Sequence, residues 1–393
     1  MTIAYDHDIP LEFANPVPKL GELLRLLVSN QGSDLHITTN TPPRMRIHGD
    51  LKALPDYAIL TATDTKAYAY SVMSDKQKQL FEAKHEMDLS FAIQGLCRFR
   101  VNIFDQRNGI GVVFRTIPFD IPTVDKLDLP EQLVDLCNKP NGLVLVTGPT
   151  GSGKSTTLAA LIDKINRERA VHILTIEDPI EFIHSHKKGL VNQREIGPNT
   201  NNFPEALRTA LRQDPDIVLI GELRDLETIE SALRIAETGH LTFATLHTNT
   251  AASTITRIID VFPANQQPQI RTQLSNVLAG VMCQQLLPKV DGSGRVMALE
   301  LLLPNAAIKN NIREDKVHQI QNVMSSGQEK HGMRILNQSL ADLVVSGIVT
   351  FEDACLRSNN TTELQDKIGS LRATQSVHIS APTNGRRDIF ASS

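Results

Sequence analysis

The segment Gly148-Pro149-Thr150-Gly151-Ser152-Gly153-Lys154-Ser155 puts three glycines, a lysine and a hydroxyl in the spacing G-x-x-x-x-G-K-[ST]. Glycines in such a turn let successive backbone N–H groups point inward around phosphate oxygens. The helix that starts there adds the positive end of its dipole. Lys154 is placed to reach the β- and γ-phosphates, the Ser155 hydroxyl to ligate Mg²⁺, and Thr156 to touch the α-phosphate. The motif also has the flanks it requires, an apolar run at Leu143–Val146 before it and a helical pattern at Ser155–Arg169 after it. This is the pattern of a Walker A loop, and it predicts binding of a nucleoside triphosphate with magnesium.

Three further groups could act on a bound triphosphate. Ile217-Val218-Leu219-Ile220-Gly221-Glu222 resembles a Walker B strand that delivers an acid at its end. Gly221 stands where the magnesium-holding Asp would be, so the metal must lean on Ser155, the phosphates and water. Glu222 is then left as base or water-orienter. Thr175–Glu181 sets Glu177, Asp178 and Glu181 at the end of a predicted strand, the edge where open parallel sheets bind ligands. Read alone it is a solvated acidic turn; beside a phosphate loop it is better read as ordering water or metal. His240 and His247 bracket Leu241–Leu246, either as hydrogen-bonded structural groups or as sensors of the γ-phosphate. Their spacing, without a nearby cysteine, does not suit zinc. Arg98, Arg100 and Arg115 fall on strands of the N-terminal region. They read as solvent-facing cations, or as arginine fingers offered to a neighbouring subunit's site, a device worth roughly 10³–10⁵ in rate.

These groups need elements to hold them. From Asp125 onward, apolar runs at Leu143–Val146, Val171–Ile176, Ile217–Ile220 and Leu241–Leu246 alternate with helical patterns at Ser155–Arg169, Phe203–Gln213 and Asp225–Glu237. Such alternation implies right-handed crossovers and a largely parallel sheet. After Gln267 the chain reads as helical to Arg357, apart from a strand at Arg295–Leu302. Ahead of this lies a small α+β module. It has a helix with Leu20, Leu23, Leu24 and Leu27 on one face, strands at Leu35–Thr38, Arg44–His48, Cys97–Phe104 and Ile110–Ile117, and one helix over Thr63–Ala83 with Thr63 as N-cap. The expected division is therefore an extension at 1–18, a first domain at 19–120, a second at 121–357 and a flexible tail at 358–393, with a hinge at Pro118–Pro122.

Composition narrows the function classes. The chain has 393 residues with 40 Lys+Arg against 44 Asp+Glu, a net charge of −4, which opposes a protein that coats nucleic acid. Thirteen Phe, four Tyr and no Trp offer little platform for base stacking. The four cysteines, Cys97, Cys137, Cys283 and Cys355, form no C-x-x-C pair, which opposes a four-thiolate zinc element and a disulfide framework. No run approaches the ~18 apolar residues of a spanning helix, and no basic-then-apolar leader opens the chain. A cytoplasmic protein is expected.

Together these stretches resemble the type IV pilus retraction ATPase family (PilT-like), hexameric motors of the secretion ATPase superfamily. The likeness runs from about Leu20 to Arg357. It rests on Gly32–Thr38 (GSDLHIT), Arg98–Phe104 (RFRVNIF), the Walker A loop, Thr175–His184 (TIEDPIEFIH), Gly221–Thr228 (GELRDLET) and Glu237–Thr248 (ETGHLTFATLHT). It implies an α/β fold, a RecA-like P-loop NTPase domain preceded by a small PAS-like α+β domain. It implies ATP and Mg²⁺ as ligands, Glu181 and Glu222 as catalytic glutamates, and Glu177 and Asp178 in an Asp box. His240 and His247 would form a His box, and Arg98, Arg100 and Arg115 would reach an active site. The implied partners are five further copies of the chain, an inner-membrane pilus platform protein and a paralogous retraction ATPase, at the cytoplasmic face of the pilus base, with no nucleic acid. Ala307–Glu314 reads AIKNNIRE where the family's retraction motif has the form AIRNLIRE, differing at Lys309 and Asn311. The missing four-cysteine element favours retraction over the extension and type II secretion relatives. Three alternatives remain: an accessory retraction paralogue, a RecA-like nucleic-acid translocase and a nucleotide-bound scaffold without turnover.

Overall fold

The computed structural model describes residues 19–47, 49–117, 120–326 and 332–380, with side chains as far as 373. The leading extension and Pro118 of the expected hinge lie outside the described residues. The chain divides into two compact units between Asp120 and Ile121.

In the first unit, helix Leu20–Ser29 buries Leu20, Leu23, Leu24 and Leu27, the face its periodicity predicts. Six strands follow: β1 (Asp34–Ile37), β2 (Arg44–Ile47), β3 (Asp50–Ala53), β4 (Glu86–Ile93), β5 (Cys97–Gln106) and β6 (Gly109–Ile117). They form an antiparallel sheet in the order β3-β2-β1-β6-β5-β4. Along β5 the period is two: Cys97, Phe99, Val101 and Ile103 are buried, and Arg98, Arg100 and Asn102 take the other face. The single helix expected over Thr63–Ala83 is two helices, Ala62–Ser71 and Asp75–Lys84. Thr61, not Thr63, caps the first through a reciprocal pair with Asp64. Ser74 and Gln77 make a second capping box, and a cap at Ser74 competes with helix through that point.

The second unit carries β7 (Gly142–Thr147), β8 (His172–Glu177), β9 (Leu190–Glu195), β10 (Ile217–Ile220), β11 (Leu241–Leu246), β12 (Leu278–Pro288) and β13 (Arg295–Leu302). Their order is β13-β12-β7-β11-β10-β8-β9, with every pairing parallel except β12 with β13. Central strands are buried on both faces, so β7, β10 and β11 read as unbroken apolar or small residues. Helices cover both faces of this sheet, as in an α/β nucleotide-binding fold.

Two expectations for the C-terminal part are corrected. Leu278–Pro288 is a strand of 11 residues, not helix. It is buried along almost its whole length, and a two-sided buried strand lacks the alternation that separates it from a buried helix. Residues 358–380 are not a loose tail either, and the rest of the expected tail lies outside the described residues. Helix Thr361–Ser380 begins at once, and Leu364 and Ile368 are buried with Leu340 and Ala341 of helix Leu336–Val345. Among the described residues no helix is long and apolar enough to cross a membrane.

Candidate functional site

The turn after β7 is shaped by three glycines with positive φ, Gly148 (140°), Gly151 (78°) and Gly153 (88°), a region that side-chain-bearing residues rarely enter. Gly148 is also required by proximity, since a Cβ there would lie 2.3 Å from the Gln284 carbonyl oxygen. Helix Lys154–Glu168 starts directly after Gly153, so its unpaired N–H groups open toward the turn. Lys154 is 9% exposed, and its Nζ donates to the Gly148 oxygen at 2.8 Å and the Pro149 oxygen at 3.1 Å. Burial lowers its pKa, while the charges of Glu222 and Glu181 act to raise it. A buried cation satisfied by two neutral carbonyls, among glycines that expose backbone N–H groups, suits a polyphosphate. Ser155 and Thr156 occupy the first turn of the same helix.

Sheet order brings the acids to this edge. β11 lies beside β7, β10 beside β11 and β8 beside β10, all running the same way, so their C-terminal ends share one rim. Glu222, just past β10, accepts from Arg224 Nη2 at 2.8 Å and lies 3.1 Å from His247 Nε2, just past β11. Burial resists its ionisation, but hydrogen bonds and charge from Arg224 and His247 prevail and hold its carboxyl below the usual range. Arg224 also lies 3.8 Å from Asp178, tying the ends of β10 and β8 together. No spacing singles out Arg224 within Gly221–Thr228; its two partners lie just past the ends of different strands. Glu177 turns inward, accepting from Thr175 Oγ1 at 2.6 Å and Gln193 Nε2 at 3.2 Å, and burial pushes its carboxyl up to about 7. Glu181 is exposed beyond a cis Asp178–Pro179 bond.

The structure does not bring His240 to this rim. It precedes β11, and its Nδ1 lies 3.1 Å from the Ile235 oxygen. Register pairs Leu241 with Gly142 and Leu246 with Thr147, so His240 is at the opposite edge, about 20 Å along the strand from the loop. Arg98, Arg100 and Arg115 belong to the first unit, where each has a partner on its own sheet. Arg98 donates to Ser90 Oγ, Arg100 lies 3.7 Å from Asp88, and Arg115 lies 2.8 Å from buried Asp34. Arg100 and Arg115 face each other across β5 and β6.

Gly221 explains the unusual Walker B end. A Cβ there would lie 3.2 Å from Glu177 Cα and 3.3 Å from the Ile176 oxygen, both backbone atoms that cannot swing aside. A side chain at this position requires the end of β8 to give by a few tenths of an ångström. Gly221→Ala is therefore expected to lower unfolding stability by about 1–3 kcal/mol, the usual cost of overpacking. A denaturant midpoint equal to that of the parent chain would refute the steric account. Among the described residues no cluster of three or more His, Cys, Asp or Glu side chains is arranged to hold a metal. Ser155, beside Lys154, is the hydroxyl that the Walker A spacing assigns to a metal.

Comparison with known proteins bears on the same residues. The sequence pattern of the family described as "Type II/IV secretion system protein" matches residues 14–334. The protein named type IV pilus retractation ATPase PilT of Pseudomonas aeruginosa is 50% identical over 333 residues, which span 85% of this chain and 96% of that one. The type IV pilus ATPase PilU of the same organism is 40% identical over 364 residues, 93% of this chain and 95% of that one. The crystal structure of the pilus retraction motor PilT with bound ADP superposes with a TM-score of 0.84 at 50% identity, covering 89% of this chain and 99% of that one.

Proposed function

The chain belongs to the type II/IV secretion system protein family, and from that footing we propose that it is the ATP-hydrolysing motor of type IV pilus retraction. The observation that supports hydrolysis best is the Lys154 cradle on the same sheet rim as an ionised Glu222. Retraction, as the work done, rests on likeness to PilT along 96% of that protein's length.

Lys154 exchanges its two carbonyl partners for phosphate oxygens and stabilises charge on the leaving diphosphate. The Ser155 hydroxyl is the chain's own ligand for Mg²⁺, which when bound neutralises charge on the β- and γ-phosphates. Glu222 orients the attacking water and receives or relays its proton. The water oxygen bonds to the γ-phosphorus, the bridging P–O bond breaks, and ADP departs with its electron pair. His247 and Arg224 keep the Glu222 carboxylate charged and aimed. Glu181 supports the Lys154 ammonium electrostatically, and Asp178 anchors Arg224. In a homohexamer Arg98, Arg100 and Arg115, on a first unit read as PAS-like, act on a neighbour's nucleotide. Work is delivered to an inner-membrane platform protein from the cytoplasmic side.

Deleting the gene is expected to abolish twitching while surface pili persist, with restoration by the parent gene and not by Lys154→Ala. One observation favours a second reading: the match to PilU takes in 93% of this chain, against 85% for PilT. A deletion strain that still twitches would make this chain an accessory to another retraction motor. Stimulation of its ATPase by DNA, lost steeply as salt rises, would replace both with a translocase.

A further inference from the structure

The strand missing from the helical expectation carries a residue aimed at the phosphate loop. β12 runs parallel to β7 with Cys283 opposite Thr147, so Gln284 stands behind the turn that β7 feeds. Its side chain is 1% exposed, and its Nε2 donates to the Ser152 carbonyl oxygen at 2.6 Å. Its own carbonyl oxygen is the atom that forbids a Cβ on Gly148, and its Nε2 would lie 3.2 Å from a Cβ on Gly153. One residue therefore touches the first and last glycines of the loop and bonds the residue before the last. Gln284 Oε1 and Ser152 Oγ are both buried with no hydrogen-bond partner among the described residues. A hydrocarbon of the same size would remove the unpaired Oε1 but also the donor to the Ser152 oxygen, so it would leave as many polar atoms unpaired and the loop without this contact.

The consequence follows from peptide geometry. A trans peptide is planar, with its C=O and N–H pointing in opposite directions. Drawing the Ser152 oxygen toward β12 aims the Gly153 N–H away from β12, toward the side on which that strand does not back the loop. We propose that Gln284 is a positioning residue for nucleotide binding: its carboxamide locks the Ser152–Gly153 peptide so that the Gly153 N–H is presented to the diphosphate. The inference rests on the reading of this loop as a nucleotide site. Because the locked N–H serves the diphosphate and not the transferred γ-phosphoryl group, Gln284 governs affinity for ADP and ATP alike and has little part in the chemical step.

The test titrates N-methylanthraniloyl-ADP into the purified full chain and measures steady-state ATP hydrolysis. Gln284→Met keeps the volume and removes the donor. It is expected to weaken ADP about tenfold, to raise KM for ATP by a similar factor, and to leave kcat within twofold. A merely structural role would lower the melting temperature and leave the ADP affinity unmoved, and that result overturns the inference. Failure of the parent chain to bind ADP would instead sink the nucleotide reading itself. Should Gln284→Met not fold, a crystal structure of the parent chain with ADP decides. Retention of the Gln284 Nε2–Ser152 oxygen bond supports the role, and its loss on binding overturns it.

Discussion

Lys154→Ala is expected to remove measurable ATP turnover, a loss on the order of 10²–10³ in kcat from one group's electrostatic work. The side chain is buried at the base of the loop, and its two hydrogen-bond partners are backbone carbonyls that carry no charge. Burial disfavours the ammonium, and the carboxylates of Glu222 and Glu181 are what sustain it. Such a cation is partly stripped of water before any ligand arrives, so an arriving phosphate gains more from it than from a solvated lysine. Alanine is a better helix former than lysine at that position, so the variant should stay folded. Phosphate release at saturating ATP, read beside the melting temperature, checks this. Turnover near the parent rate in a folded Lys154→Ala chain would refute the role.

Legibility in the sequence followed how local each feature is. The phosphate loop needs eight consecutive residues, and its backbone requirements are written in their types: Gly148, Gly151 and Gly153 are the positions with positive φ. Glu222, Asp178 and His247 were visible as residues but not as neighbours, because strand order makes them so and order is not encoded in any short window. Arg224 and Glu222 lie two residues apart, but the approach of Arg224 to Asp178 joins the ends of β10 and β8 and is written in no short window. His240 stands apart from His247 for a geometric reason. Two residues that bracket a six-residue strand fall at opposite edges of a parallel sheet, so only His247 stands at the edge that carries the loop. β12 escaped because burial on both faces erases alternation, and with it went Gln284. The final helix was hidden by its polar composition, although Leu364, Ile368 and Leu371 stand at i, i+4 and i+7.

Glu222→Gln is expected to bind ATP like the parent chain and to hydrolyse it roughly 10²–10⁴ times more slowly. The amide keeps the shape of the carboxylate, so an oxygen can still face Arg224 or His247, which lie at 2.8 and 3.1 Å. What disappears is the negative charge and the second acceptor that would hold water. The direction of the pKa shift bears on both roles. Burial opposes ionisation of Glu222, yet Arg224 and His247 bring its pKa below the ordinary value, so it stays charged at least as far down in pH as a free glutamate. A carboxylate that acidic is a weak base, so aiming the water is as much its part as taking or relaying the proton. Two results should therefore appear together. The parent kcat should show no loss from Glu222 between about pH 6 and 8, since protonation belongs below the usual carboxylate value near 4.3. Glu222→Gln should trap ATP unhydrolysed, as read by nucleotide recovered from the purified protein after incubation. Parent-like hydrolysis by Glu222→Gln would remove Glu222 from the mechanism and leave the exposed Glu181 as the remaining glutamate able to meet the water.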